Sequence, residues 1–118
     1  MMMLRKRRSR KHSASVFVLT VCMLYAGTVV SVPATAATHT IAMEGVAFVP
    51  ETLTVKQGDT VVWTNKDPFP HTATAQDRRF DSREIAPDKT WKYTVRKKGK
   101  IPYVCTLHPT MKGTLVVE

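Results

Sequence analysis

Cysteine is nearly missing from this chain: 118 residues hold only Cys22 and Cys105. A scaffold stapled by several disulfides is therefore excluded. Acidic residues are missing from the first 43 positions, the earliest being Glu44. Arg5, Lys6, Arg7, Arg8, Arg10 and Lys11 crowd that region and dominate the formal charge of +9. From residue 37 onward twelve Lys and Arg face nine Asp and Glu, which leaves only +3. No basic stripe interleaved with aromatics survives, so nucleic-acid binding is not expected. Helical periodicity is missing as well, since no ten-residue stretch of this part repeats its apolar positions every 3.6 residues. There is no internal repeat and no low-complexity linker, and the length suits one domain.

What is present falls into two parts. Residues 1–36 read as an N-terminal signal peptide. The basic "RKRRSRK" precedes the apolar run "ASVFVLTVCMLYA", and "PATAA" offers a small-residue cleavage site at Ala34 and Ala36. The alternative is an uncleaved anchor, because residues 14–32 carry no charge and approach bilayer length. Export to the periplasm or another extracytoplasmic space follows from either reading, with a membrane involved only if the segment is retained. Cys22 lies within the apolar run. Cys105 is then the one thiol of the exported part, in a compartment that oxidises free thiols. A metal bound to the thiolate would protect it.

Residues 37–118 alternate with a period of two. Ile41 and Met43 share a face, as do Leu53 and Val55, Val61 and Trp63, and Trp91, Tyr93 and Val95. Two further β-rich runs are "KIPYVC" and "GTLVVE". Turn residues recur every eight to twelve positions, among them Pro50, Gly58, Pro68, Pro70, Pro87, Gly99, Pro109 and Gly113. Short strands at this spacing predict an all-β, Greek-key antiparallel β-sandwich. Trp63, Trp91, Tyr93 and Tyr103 are expected in its core or on sheet faces. "RKKGK" (96–100) is expected at a solvated hairpin tip, or as a docking patch for an acidic partner.

Chemistry concentrates in "CTLHPTM". Cys105, His108 and Met111 recur every three residues, between two β-rich runs, in a loop stiffened by Pro109. Thiolate, imidazole and thioether are the side chains that suit soft copper. A second imidazole is wanted. His71 sits on the proline-rich turn "NKDPFPHT", whereas His39 stands near the start of the exported part, a poor place for a rigid ligand. Two imidazoles and a thiolate with a weak axial thioether describe a blue-copper electron-transfer site. Rival readings are a periplasmic copper carrier or storage protein without an electron-transfer role, and a cysteine hydrolase built on Cys105 and His71. The second has no visible oxyanion loop or orienting third residue. An enzyme is not expected. Ala37-Thr38-His39, if it begins the mature chain, offers a small additional site for Cu(II), against a plain strand-edge histidine.

"GKIPYVCTLHPTMKGTLVVE", "VVWTNKDPFPHT" and "GVAFVPETLTVKQGDTV" together resemble the cupredoxins, the small blue copper proteins. The short C-x-x-H-x-x-M loop is similar to that of the amicyanin branch. The resemblance implies one copper ion held by His71, Cys105 and His108 in the equatorial plane and Met111 on the axis. It implies that Asn65 ties the first-histidine segment to the cysteine loop beside Thr106. It also implies single-electron transfer by a monomer to partner proteins such as a dehydrogenase, cytochrome or reductase. Docking would fall on Phe69, Pro70, Pro109 and Thr110 around the edge of His108. Leu107 departs from the family pattern, which usually has proline there.

Overall fold

The computed structural model describes residues 27–118. The signal-segment reading therefore rests largely on residues outside the described ones. The chain divides into Met1–Val32 and Pro33–Glu118. Of the first unit only residues 27–32 are described, exposed and without regular secondary structure. No helix among the described residues is long and apolar enough to cross a membrane.

Residues 33–118 form eight strands: β1 (Thr38–Met43), β2 (Phe48–Val49), β3 (Thr52–Val55), β4 (Thr60–Asn65), β5 (Thr74–Ala75), β6 (Thr90–Thr94), β7 (Gly99–Cys105) and β8 (His108–Val117). They build two four-stranded sheets, ordered β2-β1-β4-β6 and β3-β8-β7-β5. The expected sandwich is what forms, with one difference of detail. Each sheet contains a parallel pair, β1 with β4 and β3 with β8, among its antiparallel ones. The cause is connectivity. Gly58-Asp59 does not close a hairpin between β3 and β4 but carries the chain from one sheet to the other. The 96–100 segment does the same between β6 and β7, so it is a crossover rather than a hairpin tip.

Alternation positions the core. Ile41 and Met43 on β1, Val61 and Trp63 on β4, and Ile101, Tyr103 and Cys105 on β7 all point inward. Met111, Leu115 and Val117 on β8 join them, with Phe80 and Ile85 from the long β5–β6 connection. Trp63 packs edge-on against Tyr103 at 5.5 Å and meets Trp91 at 5.6 Å. Trp91 and Tyr93 are half-buried against this cluster, so the four aromatics lie where alternation put them. Tyr103 faces Gly113 across the β7–β8 pair. A Cβ at Gly113 would fall into the Tyr103 ring, so glycine here makes room for the aromatic. All buried apolar side chains among the described residues lie between Ile41 and Val117. Pro33–Glu118 thus carries its own core and has the anatomy of a self-folding unit.

Candidate metal centre

The site grows from an irregularity at one end of the β7–β8 pair. Tyr103 pairs with Gly113 and Val104 with Lys112, a register that would next place Met111 opposite Cys105. The register shifts instead between Val104 and Cys105, and His108 stands opposite Cys105. Bulges of this kind re-aim side chains. Here the shift sets His108 opposite Cys105, with Met111 buried three residues further along the same strand. The connecting turn is only Thr106-Leu107. His108 and Met111 stand on β8 itself, so they are strand residues and not loop residues as the sequence suggested.

His71 comes from the other sheet's connection. β4 ends at Asn65, and the Pro68-Phe69-Pro70 corner turns the chain back so that His71 faces Cys105. Its backbone is pinned by reciprocal bonds with Ile85, 3.2 Å from His71 N to Ile85 O and 2.7 Å in return. The ligand atoms of His71, Cys105 and His108 lie within 4.8 Å of one another. Nδ1 of His71 and Nδ1 of His108 are each 3.7 Å from Cys105 Sγ. Cys105 and His71 are fully buried, Met111 nearly so, and His108 half-buried. Phe69 packs over both imidazoles at 5.2 and 5.5 Å.

Two residues that sequence reasoning missed hold this arrangement. Asp67 Oδ2 lies 2.7 Å from His71 Nε2. The same carboxylate accepts the backbone N–H groups of Gly45 at 2.8 Å and Val46 at 2.9 Å. Burial opposes ionisation of Asp67, but the Val46 N–H, the His71 ring and the Gly45 N–H outweigh it and hold the carboxyl below its ordinary range. An ionised carboxylate only accepts, so the ring proton sits on Nε2 and the Nδ1 lone pair faces the sulfur. The Asp67 bond thereby selects the tautomer able to bind a metal. Gly45 and Val46 both have positive φ, 64° and 58°, an unfavourable conformation for a β-branched valine. Their convergent N–H groups are an anion cradle, and Asp67 fills it.

The second is Thr72. Its backbone N–H donates to Cys105 Sγ at 3.2 Å, and its hydroxyl accepts the Thr106 N–H at 2.9 Å. Thr72 Oγ1 also lies 3.1 Å from Thr106 Oγ1. This corrects the expected role of Asn65. Asn65 does not bond Thr106; its amide donates to Phe69 O at 2.8 Å and Ile85 O at 2.9 Å, and its carbonyl accepts the Asp67 N–H at 2.9 Å. Asn65 therefore braces the histidine turn internally, and Thr72 makes the tie to the cysteine strand. The signal for both missed residues was faint: a carboxylate four before a histidine, and a threonine directly after it.

Phe69, Pro109 and Thr110 are exposed and Pro70 partly so, around the half-buried His108. Leu107, 44% exposed, and Val46, 38% exposed, extend that apolar rim. His39 stands elsewhere. Its Nε2 is 2.9 Å from Asp59 Oδ2, and Ala37 N donates to Asp59 Oδ1 at 2.8 Å. Asp59 thus engages both the Ala37 N–H and the His39 ring.

The donor set suits a soft transition metal. A buried sulfur faces two imidazole Nδ1 atoms, with a buried thioether on the adjoining strand. A two-sheet sandwich with this pocket between its sheets defines a metal-binding β-domain. The model of the cupredoxin-like domain family matches residues 14–117, and the chain belongs to that family. It is 29% identical over 83 residues to amicyanin of Paracoccus versutus, covering 66% of this chain and 63% of that one. An amicyanin variant solved in its oxidised state superposes with a TM-score of 0.65 at 27% identity, over 69% of this chain and 82% of that one. A copper-containing nitrite reductase from Thermus scotoductus matches with a TM-score of 0.64 at 29% identity, over 68% of this chain but 22% of the reductase. The chain spans between 54% and 63% of the length of the curated amicyanins it matches.

Proposed function

We propose that this is an exported type 1 copper protein that carries single electrons between redox partner proteins. His71, Cys105, His108 and Met111 would hold the copper ion. The observation that carries the reading is the pair of Nδ1 atoms 3.7 Å from one buried sulfur. Copper bound there supplies a couple, Cu(I)/Cu(II), that exchanges one electron at a time.

The chain's contribution is a donor set that need not move. Asp67 and Ile85 hold His71, Thr72 holds Cys105, and the β7–β8 bulge sets His108 and Met111. A frame acceptable to both oxidation states keeps reorganisation small. Among the four, His108 alone reaches the surface, so its ring edge would be the exit for an electron. The surrounding rim of Phe69, Pro70, Leu107, Pro109 and Thr110 suits a small, weak and quickly released interface. A dehydrogenase, cytochrome or reductase with an apolar patch at its own redox centre fits that rim. The amicyanin relatives support a carrier. The nitrite reductase match supports only a shared copper-protein module, because it covers a fifth of that enzyme.

Residues 1–36 direct export, with cleavage after about Ala36 or retention as an anchor. The mass of the exported protein distinguishes the two. Addition of Cu(II) to the purified protein tests the centre itself. One copper per chain and an intense visible thiolate-to-Cu(II) absorption are expected, and Cys105→Ser should abolish the colour. A colourless protein that binds exchangeable Cu(I) would instead identify a copper carrier. Replacement of His108 by Gly should slow electron exchange with the partner; an unchanged rate would place the exit elsewhere.

A further inference from the structure

The second feature of this molecule is a segregation of charge. Residues 77–79 and 92–100 together hold seven Lys and Arg against a single carboxylate. The other residues from 37 onward hold five against eight. The two segments meet in space, where Asp77, Arg79, Tyr93, Arg96 and Lys97 line one shallow cleft. Arg79 is paired with Asp77 at 2.7 Å, but among the described residues Arg96, Lys97, Lys98 and Lys100 enter no ion pair. All four are exposed. The other carboxylates at this end are Asp59, which is tied to His39, and Glu118.

This basic end is opposite the metal mouth. β7 runs from Gly99 beside the cations to Cys105 at the site, about 20 Å at strand rise. Electronic coupling over that distance is too weak for direct exchange, so the basic end is not a second electron port. It is, however, where the chain joins the sandwich. Ala37 N bonds Asp59, Ala37 O accepts Thr60 N at 2.9 Å, and Val95 N donates to Asp59 O at 2.9 Å. Gln57 Nε2 donates to Arg96 O at 2.6 Å. One turn, 57–60, therefore links the first strand to the basic crossover. The start of the first strand and the basic crossover thus share this end of the sandwich.

We propose that the basic end seats on an anionic lipid bilayer, leaving the metal mouth turned away from the membrane toward its partner. Exposed Lys and Arg are attracted to acidic headgroups. Tyr93, half-buried among the cations, presents a phenol ring of the type that settles at headgroup depth. The inference does not depend on which metal the pocket holds.

Residues 33–118, which carry their own core, allow the test without the apolar run. Sedimentation with vesicles of phosphatidylglycerol and phosphatidylcholine should pull the domain down at low ionic strength. Pure phosphatidylcholine vesicles should not, and 0.5 M salt should release it. Each neutralised cation should weaken binding about fivefold. The combined variant Arg96→Gln, Lys97→Gln, Lys98→Gln, Lys100→Gln should therefore lose it, with an unchanged far-ultraviolet circular dichroism spectrum as proof of folding. Lys66→Gln with Lys112→Gln, away from the basic end, should bind as the parent does. Absent or salt-insensitive binding, equal binding to neutral vesicles, or an unaffected quadruple variant would overturn the proposal. Binding to polyglutamate without binding to anionic vesicles would overturn it in favour of an acidic protein partner.

Discussion

The molecule contains the same small device twice. At one end Asp67 accepts two backbone N–H groups and the ring of His71; at the other Asp59 accepts two backbone N–H groups and the ring of His39. The ring distances, 2.7 and 2.9 Å, are nearly equal. What differs is the far side of each imidazole. His71 is fully buried with its Nδ1 turned to Cys105 Sγ, while the His39 side chain is 29% exposed on the first strand. A histidine–carboxylate pair is thus a way to lock a ring. The lock becomes part of a metal centre only where a soft donor waits at the other nitrogen.

The largest effect should come from removing the rings. His71→Ala is expected to weaken copper binding by more than about 100-fold and to erase the visible absorption, since ligand loss exceeds the effect of losing a ligand's support. His39→Ala should leave one copper per chain, as titration of Cu(II) would show. A change of stoichiometry in His39→Ala would break the contrast. The carboxylates come next. Asp67→Asn should reduce copper affinity by about 10- to 100-fold and release the Nε2 proton constraint on His71, visible as tautomer exchange in nitrogen NMR of the metal-free protein. Asp59→Asn should leave affinity unchanged.

Acid separates the pairs in a different way. The Ala37 N–H first, then the Lys56 N–H and the His39 ring, lower Asp59 from 3.8 to about 2. A carboxyl depressed in the folded state stabilises it above the unfolded value, and that contribution disappears as pH falls through the folded one. Folding stability should therefore drop between about pH 4 and about 2. The drop should be shallower in Asp59→Asn, as thermal unfolding against pH would measure. An identical acid limb in the variant would remove Asp59 from the account. The smallest effect is expected of Thr72→Ala, which keeps the N–H to Cys105 but loses the hydroxyl tie to Thr106. About 0.5–1.5 kcal/mol of stability should go, read from denaturant midpoints, with copper still bound.

Much of the fold was legible because a period of two reports burial directly. Ile41 with Met43 and Val61 with Trp63 point inward as alternation required. The crossovers were less legible, since Gly58-Asp59 and 96–100 carry turn residues whether they join neighbours in one sheet or pass between two. Among the chemistry-bearing residues, Cys105, His108 and Met111 advertise themselves by spacing. Asp67 and Thr72 do not, because a hydrogen bond to a ring or a sulfur leaves no periodic trace. Asn65 was noticed, yet its bonds run to Phe69 and Ile85 and not to Thr106.

The sequence by itself determined the composition of the donor set and the strands that frame it. Residue type and alternation are local properties, and "CTLHPTM" needs no partner to be recognised as soft-metal chemistry. Only the tertiary structure decided how His71 and His108 reach the sulfur, because that depends on a bulge between Val104 and Cys105 and on a corner 34 residues earlier in the chain. It alone decided, too, that the basic crossover and the start of the first strand share the end opposite the metal. Both are facts of long-range pairing, in which residues far apart in sequence are fixed by hydrogen bonds that no short window contains.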